Sequence, residues 1–327
     1  MNTVPDQKSR LLGGLWGSLT GDALGVPVEF QNRAARVADP VTGMRGYGTH
    51  HQPPGTWSDD GALLLCSVES LVERGFDTAD MAARFVRWER DGLWTANGDV
   101  FDIGIATSEA LRRVRQGVPA EEAGGKDEYS NGNGSLMRIL PVVLASLKQP
   151  DSVFQDRIQR ASKITHGHPR SQLACVFFGL LVRAMMEGWM KEEAVKTAAG
   201  EFSAMCGSNL ELPAFGRVLR PDFRELREAE INSGGYVIDT LEAAVWCLLT
   251  TGGFAECVLQ AVNLGGDTDT TGCVAGGLAG VCYGEEAIAE EWLAALPRGG
   301  ELMGLFDAFR QVTASPISMK PRTLAGS

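Results

Sequence analysis

The stretch LLGGLWGSLTGDAL spans residues 11–24 and combines apolar side chains with glycines at helical spacing. A second stretch, TGCVAGGLAGV, spans residues 271–281 and repeats glycine at Gly272, Gly276 and Gly280. Each glycine inside a helix costs about 1 kcal/mol relative to alanine, so such a row needs a compensating gain. That gain is usually the close approach of another backbone. Both stretches are therefore predicted to be buried helices that pack closely against other helices near a central site.

Helical periodicity continues along the rest of the chain. Nine further segments repeat apolar residues at helical spacing, and sustained period-two alternation is missing. They are residues 62–72, 80–88, 104–114, 137–147, 153–164, 172–186, 192–205, 236–249 and 255–263. Loops rich in Gly, Pro, Asn and Asp connect them, and no shift in composition marks a domain boundary. The sequence predicts an all-α fold: one compact multi-helix domain over residues 1–327, with a core at about 9–313 and flexible termini.

Composition excludes several classes of protein. The 327 residues carry a formal net charge of −11 without a block of Lys and Arg, which argues against a nucleic-acid backbone as the main partner. The seven cysteines form no C-x-x-C pair, and they are interpreted as reduced core residues. The first ten residues lack an apolar signal region, and the longest apolar run, 173–186, is interrupted by Arg183. These features predict a cytoplasmic protein with no membrane partner.

Two acidic clusters, Ser58-Asp59-Asp60 and Asp267-Thr268-Asp269-Thr270, each lie at the predicted N-terminus of a helix. Ser and Asp are good residues for capping a helix, so each cluster alone can be explained as a cap. Carboxylates packed together raise one another's pKa, however, and a bound cation removes that penalty. Oxygen-only ligand sets suit Mg²⁺ or Mn²⁺. The two clusters are therefore predicted to converge into one metal site while each also caps its helix.

Two loops carry further candidate groups. Residues 131–135 read NGNGS, in which glycine allows close backbone approach and the following helix start offers free N–H groups to a phosphate. An ordinary turn with a helix cap is the alternative. Residues 165–169 hold His166 and His168 without the partners of a transition-metal site, so His166 is expected to form a hydrogen bond, either to a ligand or locally. His50 and His51 are interpreted as incidental loop residues.

Six motifs in order resemble the ADP-ribosylglycohydrolase family, including the bacterial dinitrogenase-reductase-activating glycohydrolases. Together they span about residues 11–285, and six in the family's order are far more specific than any one alone. They are GLWGSLTGDALGVPVEF at 14–30, WSDD at 57–60, NGSLMR at 133–138, THGH at 165–168, GYVIDTL at 235–241 and GGDTDT at 265–270.

The resemblance implies an all-α fold of the ADP-ribosylglycohydrolase type with a binuclear Mg²⁺ or Mn²⁺ site. The implied metal ligands are Ser58, Asp59, Asp60, Asp267, Asp269 and Thr270. The implied catalytic groups are Asp60 and Asp269, which orient a water, and Glu29, an acid or base over the bound ribose. The implied substrate-binding residues are Asn133, Gly134, Ser135, His166, Tyr236, Gly265 and Gly266, with Tyr236 stacked on adenine. Gly61 departs from the pattern, because many members carry Thr there; the change removes a hydroxyl but no carboxylate.

The activity that the resemblance implies is removal of ADP-ribose from a modified protein, most often from arginine. Serine-linked, nucleobase-linked and free ADP-ribose derivatives remain alternatives. A second reading is an immunity protein that neutralises an ADP-ribosylating toxin partner, by reversal or by occlusion. A non-catalytic structural member would have an eroded metal set, and this set is intact. An all-α phosphohydrolase of the His-Asp type would need more than four histidines.

Overall fold

The computed structural model describes residues 5–314, and within that range the secondary structure is helical. The α-helices are α1 Gln7–Gly25, α2 Arg33–Ala38, α3 Asp59–Arg74, α4 Thr78–Asp91, α5 Ile105–Arg115, α6 Ala120–Ala123, α7 Leu140–Ser146, α8 Asp151–Lys163, α9 Pro169–Met186, α10 Lys191–Cys206, α11 Val237–Thr250, α12 Phe254–Asn263, α13 Thr268–Tyr283, α14 Glu290–Ala295 and α15 Gly299–Thr313. Short 3₁₀ helices lie at Val26–Val28, Gly48–His50, Leu212–Phe215, Phe223–Glu225, Glu228–Glu230 and Glu285–Ala287. The prediction of an all-α fold is confirmed.

Helices α1 and α13 form the centre of the molecule, and their glycine rows face each other. A Cβ added to Gly17 would lie 2.3 Å from the carbonyl oxygen of Gly276, and one added to Gly21 would lie 1.9 Å from that of Gly272. Successive glycines of α1 contact glycines of α13 with decreasing residue numbers, so the two helices run antiparallel. Any side chain at these positions would force the two backbones apart.

This pairing places the ends of the two helices together. Thr268 Oγ1 in the first turn of α13 donates to the carbonyl of Gly25, the last residue of α1, across 2.8 Å. A Cβ on Gly25 would lie 2.4 Å from the Cα of Asp269. The chain then turns through Val26–Val28 and reaches Glu29 beside the start of α13. The glycine pairing therefore brings Glu29 and the second acidic cluster to one place.

The remaining helices enclose this pair. Almost every residue of α9 and α11 is buried, as are most residues of α3. All seven cysteines are free thiols and six of them are buried, in agreement with their predicted role as core residues. No helix in residues 5–314 is long and apolar enough to cross a lipid bilayer.

Four α-helices were not predicted: α2, α6, α14 and α15. Helix α15 begins with two glycines after Arg298, which has a φ of 58°, so its intrinsic propensity is low. Burial of its apolar face stabilises it, with Phe306 packed edge-on against Trp16 at 4.8 Å between ring centroids. The segment predicted as a helix over 137–147 begins only at Leu140, since residues before it form a turn. Of the predicted flexible ends, residues 1–4 and 315–327 lie outside the described residues, whereas Gln7 and Lys8 already belong to α1.

Candidate metal and substrate site

The first acidic cluster forms the N-terminus of α3. Ser58 is the N-cap, and its Oγ accepts from the backbone N–H of Asp60 at 3.3 Å. Asp59 and Asp60 occupy the first turn and are buried. As predicted, then, the cluster caps its helix. Its position in the first turn of α3 also turns two carboxylates toward the end of α1 and the start of α13.

Asp22 of α1 holds this helix start in place, and sequence reasoning missed that role. Its carboxylate accepts from the backbone N–H groups of Ser58 at 3.0 Å and of Gly61 at 2.8 Å. Burial raises the pKa of Asp22 to about 7, against the effect of these hydrogen bonds. The departure at Gly61 has a packing explanation, because a Cβ there would lie 2.8 Å from Cβ of Trp57 and 2.8 Å from Cδ2 of Leu19.

The second acidic cluster forms the N-terminus of α13 and meets the first. Asp267 occupies the N-cap position, but its side chain makes no capping hydrogen bond, so the prediction of a cap was wrong for this cluster. Thr270 Oγ1 donates to Asp60 Oδ1 at 3.3 Å, and the Thr270 N–H donates to Asp269 Oδ1 at 2.9 Å. Asp267 Oδ2 accepts from Asn133 Nδ2 at 2.8 Å. The two helix starts therefore face each other, and the Asn-Gly loop closes a third side.

We call the space between the two helix starts and the Asn-Gly loop the acidic cleft. Three buried carboxylate oxygens in it have no hydrogen-bond partner among the described residues: Asp60 Oδ2, Asp267 Oδ1 and Asp269 Oδ2. Burial, and then the neighbouring carboxylates, raise the pKa of Asp60 and of Asp269 well above the ordinary value. Unpaired buried carboxylates are costly, and a divalent cation is the group that most directly offsets such a cost. Because every free ligand atom is an oxygen, the residues present fit a hard cation.

Glu29 is held next to this cluster by a turn of two glycines. The N–H of Phe30 donates to the carbonyl of Gly266 at 2.7 Å. Gly265 and Gly266 have φ values of 75° and 78°, which favour glycine. One carboxylate oxygen each from Glu29, Asp267 and Asp269 lies within 4.8 Å of the others. Burial, then the charges of nearby aspartates, raise the pKa of Glu29 to about 10. The two glycines thus place Glu29 beside the carboxylates of Asp267 and Asp269.

A second group beside Glu29 was not predicted. Ligand atoms of Glu29, His50 and Asp102 all lie within 4.8 Å of one another. His50 Nε2 forms a hydrogen bond with Glu29 Oε2 and lies 3.8 Å from Asp102 Oδ1. The interpretation of His50 as an incidental loop residue was therefore wrong. Asp102 stands three residues before α5 with a φ of 61°, and no flanking motif distinguishes it from an ordinary loop acid.

The Asn-Gly loop packs against the segment that precedes α11. The N–H of Asn133 donates to the carbonyl of Gly235 at 3.1 Å, and Gly132 forms an isolated bridge with Tyr236. The hydroxyl of Ser135 is fully buried and accepts from Ser162 Oγ at 2.9 Å. That hydroxyl faces the core and not the cleft, so any contact of Ser135 with a substrate is left to its backbone.

His166 and Tyr236 border the same loop. A Cβ on Gly134 would lie 2.9 Å from Cε1 of His166, so the imidazole lies directly against the loop. Burial, and then the charge of Arg138, lower the pKa of His166 to about 3, so the ring is neutral and suited to hydrogen bonding. The Tyr236 hydroxyl accepts from Arg170 at 3.2 Å, which fixes the ring that was predicted to stack on adenine.

The sequence of this chain is similar to those of known proteins. The family model for ADP-ribosylglycohydrolase matches residues 3–317. The chain is 33% identical over 297 residues to an ADP-ribosylarginine hydrolase Tri1 of Serratia proteamaculans, covering 89% of this chain and 76% of that one. It is 30% identical over 298 residues to an ADP-ribosyl-[dinitrogen reductase] glycohydrolase of Rhodospirillum rubrum, covering 90% and 92%.

A solved structure agrees with these sequence matches. An ADP-ribosylglycohydrolase-related protein complex superimposes with a TM-score of 0.79 at 36% identity, covering 94% of this chain and 99% of that chain. Fold, motifs and relatives agree, and the chain therefore belongs to the ADP-ribosylglycohydrolase family and is a hydrolase of glycosyl bonds.

Proposed function

We propose that the protein releases ADP-ribose from arginine side chains of modified proteins, with two Mg²⁺ or Mn²⁺ ions held in the acidic cleft. The observation that carries the proposal is the convergence of three partnerless buried carboxylate oxygens from two helix starts beside Glu29. Relatives in Serratia proteamaculans and Pseudomonas putida, 33% and 32% identical, bear the name ADP-ribosylarginine hydrolase and support arginine as the linkage.

The cations would be held by Ser58, Asp59, Asp60, Asp267, Asp269 and Thr270. When bound, they supply Lewis acidity that lowers the pKa of a water and stabilises developing charge on ribose oxygens. Asp59 supports this assignment, since burial and three neighbouring aspartates raise its pKa well above the ordinary value. An acid whose charged form is so disfavoured gains most from a cation beside it.

The carboxylates of the cleft orient the attacking water. Asp60 and Asp269 each direct one oxygen into the cleft without a protein partner, while the other oxygen is held by Thr270. Each carboxylate is therefore fixed at one oxygen and free to accept at the other. These oxygens would face the bound cations, and a water held beside the cations would donate to one of these oxygens and be oriented for attack on the anomeric carbon.

Glu29 and Asp102 are the candidates for proton transfer. As the C1–N bond breaks through an oxocarbenium-like transition state, the departing guanidine nitrogen needs a proton and the water must lose one. Burial raises the pKa of both carboxyl groups, and they lie in one cluster with His50. Two neighbouring acids of raised pKa suit an exchange of one proton.

Substrate orientation follows from the loops around the cleft. Asn133 Nδ2 donates to Asp267 and to Thr240 at 2.8 Å each, so its side-chain oxygen is left to accept from a ribose hydroxyl. Backbone N–H groups of the loop would donate to the diphosphate oxygens. Tyr236 pairs with Gly132 of the same loop, and its ring would stack on adenine. The leaving group would then lie at the opposite end, toward His50 and Asp102.

The test is release of ADP-ribose from a panel of arginine-, serine- and nucleobase-linked substrates, with Mg²⁺, with Mn²⁺ and in chelator. We expect the arginine-linked substrate to be cleaved, and only with a cation. Asp60→Asn and Asp269→Asn should be inactive, whereas Asp222→Asn, at an exposed position paired with Arg220, should match the wild type. Full activity in chelator, or in both site variants, would contradict the proposal.

The same variants test the alternative that the chain is an immunity protein that acts in the cytoplasm. If the chain neutralises an ADP-ribosylating toxin by occlusion, Asp60→Asn and Asp269→Asn should still form the inhibitory complex. If it acts by reversal, both variants should lose protection together with hydrolysis.

A further inference from the structure

Arg138, the last residue of the NGSLMR motif, has no role in the proposed reaction, yet it is fully buried. Its guanidinium lies over the ring of Phe85, 4.6 Å from the centroid. Nη2 donates to the carbonyl of Ala161 at 3.2 Å and to Thr165 Oγ1 at 2.8 Å. Nε and Nη1 have no hydrogen-bond partner, and no acid pairs with Arg138 among residues 5–314. A buried guanidinium without a carboxylate is costly, so its position calls for an explanation.

The hydroxyl of Thr165 links Arg138 to the substrate cleft. Thr165 is fully buried, and its Oγ1 contacts two groups among the described residues: Arg138 Nη2 and His166 Nδ1, each at 2.8 Å. A guanidinium can only donate, so it occupies a lone pair of Oγ1. The hydroxyl proton then has one available acceptor, His166 Nδ1. If Nδ1 carried a proton instead, the buried hydroxyl would be left with an unsatisfied donor.

The other imidazole nitrogen faces the Asn-Gly loop. A Cβ on Gly132 would lie 3.3 Å from His166 Nε2, and one on Gly134 would lie 3.5 Å from it. Within residues 5–314, Nδ1 is the ring nitrogen of His166 that takes part in a hydrogen bond. Nε2 is thus left to meet a ligand that lies along the loop.

We propose that Arg138 and Thr165 are positioning residues that hold His166 as the neutral Nε2–H tautomer, whose N–H donates to an oxygen of bound ADP-ribose. Arg138 fixes the direction of the Thr165 hydroxyl, and the hydroxyl in turn fixes the imidazole tautomer. The charge of Arg138 also opposes protonation of the ring, in agreement with the lowered pKa of His166. The donation to ADP-ribose rests on the proposed function; the tautomer does not.

The test uses the full chain with ¹⁵N-labelled histidine, in which His166→Gln identifies the His166 signals among the four histidines. We expect long-range ¹H–¹⁵N spectra to show a neutral ring with the proton on Nε2. Thr165→Val, which keeps the shape and removes the hydroxyl, should shift the ring toward the Nδ1–H form and weaken ADP-ribose binding about tenfold. Thr165→Ser, which restores the hydroxyl, should return both properties to wild-type values.

Three results would overturn the inference: an Nδ1–H tautomer in the wild type, a Thr165→Val variant that keeps the wild-type tautomer, or a Thr165→Val variant whose tautomer changes while its ADP-ribose affinity does not. The tautomer is measured without ligand. A wild-type chain that has the Nε2–H form but binds no ADP-ribose would therefore contradict the proposed function and the donor role, and would support the tautomer assignment.

Discussion

Thr270 Oγ1 donates to Asp60 Oδ1 across 3.3 Å, which joins the first turn of α13 to the first turn of α3 although 210 residues separate them in the chain. Each first turn directs carboxylates into the same small volume. A bound cation would neutralise the negative charge of the carboxylates gathered there.

Removal of one buried charge should stabilise the cation-free protein. In chelator at pH 8, Asp60→Asn and Asp269→Asn are expected to unfold at a higher denaturant concentration than the wild type. The pKa of each carboxyl is raised by burial and by its acidic neighbours, and one pKa unit corresponds to about 1.4 kcal/mol. The expected gain in the free energy of unfolding is on the order of 1 kcal/mol or more. Asp222→Asn, an exposed acid, is the control and should change little. Destabilised site variants would argue against uncompensated charge in the cleft.

Asp102 should contribute to the chemical step. Asn tolerates a positive φ such as the 61° of Asp102, so Asp102→Asn keeps the loop and removes only the acid. We expect kcat to fall about 100-fold or more with little change in KM, as for loss of a general acid or base. Asp99→Asn, an exposed acid of the same loop, is the matched control. Steady-state kinetics on an arginine-linked substrate decide this point, and an unchanged kcat would leave Glu29 as the sole candidate for proton transfer.

The glycine pairing of α1 and α13 should be indispensable. A Cβ at Gly276 would lie 2.1 Å from the backbone oxygen of Gly17, and a backbone atom cannot move aside as a flexible side chain can. Gly276→Ala is expected to lower the free energy of unfolding by about 3 kcal/mol. Gly200→Ala is the matched control, because Gly200 lies in α10 with no atom within 4 Å of the added Cβ. That variant should gain about 1 kcal/mol from helix propensity. Equal effects in chemical denaturation would contradict the pairing.

The fold was largely predictable because many of its helices have a clear apolar face, as in α4 and α12, or are apolar almost throughout, as in α9 and α11. Helix α15 was missed because its glycines weaken the helix signal, and its stability comes from contacts such as Phe306 with Trp16. The single-domain boundaries stay a prediction. For the site, the acidic clusters could be found from the local sequence. Two carboxylates within four residues at a predicted helix start are hard to explain as a helix cap alone.

Functional residues that lie outside these clusters could not be found from the local sequence. Asp22, His50 and Asp102 belong to no acidic cluster in the sequence, and only the folded chain brings them to Glu29 and to α3. The contact of Ser135 with a ligand stays a prediction, but its motif did not indicate that the turn directs its hydroxyl to Ser162. Side-chain direction in a turn depends on tertiary packing, and no sequence pattern specifies it.

Glu242 should make stability depend on pH. It is buried in α11, with Oε2 at 3.3 Å from Arg217 Nε, and burial raises its pKa to about 7. An acid whose folded pKa is raised favours folding fully below its unfolded pKa of about 4.3. That contribution is lost as the pH rises through about 7. Between pH 5 and pH 8 the wild type should therefore lose more stability than Glu242→Gln. Thermal unfolding at a fixed cation concentration checks this, with exposed Glu225→Gln as the control; identical pH profiles for wild type and Glu242→Gln would refute it.

The most direct test of the central claim, that two helix starts form one cation site, is the stoichiometry of Mn²⁺ binding to the chelator-treated chain, measured by calorimetry. We expect two equivalents for the wild type and for Asp222→Asn, and a loss of binding in both Asp60→Asn of α3 and Asp269→Asn of α13. Two equivalents retained in either site variant, or no Mn²⁺ bound by the wild type, would contradict it.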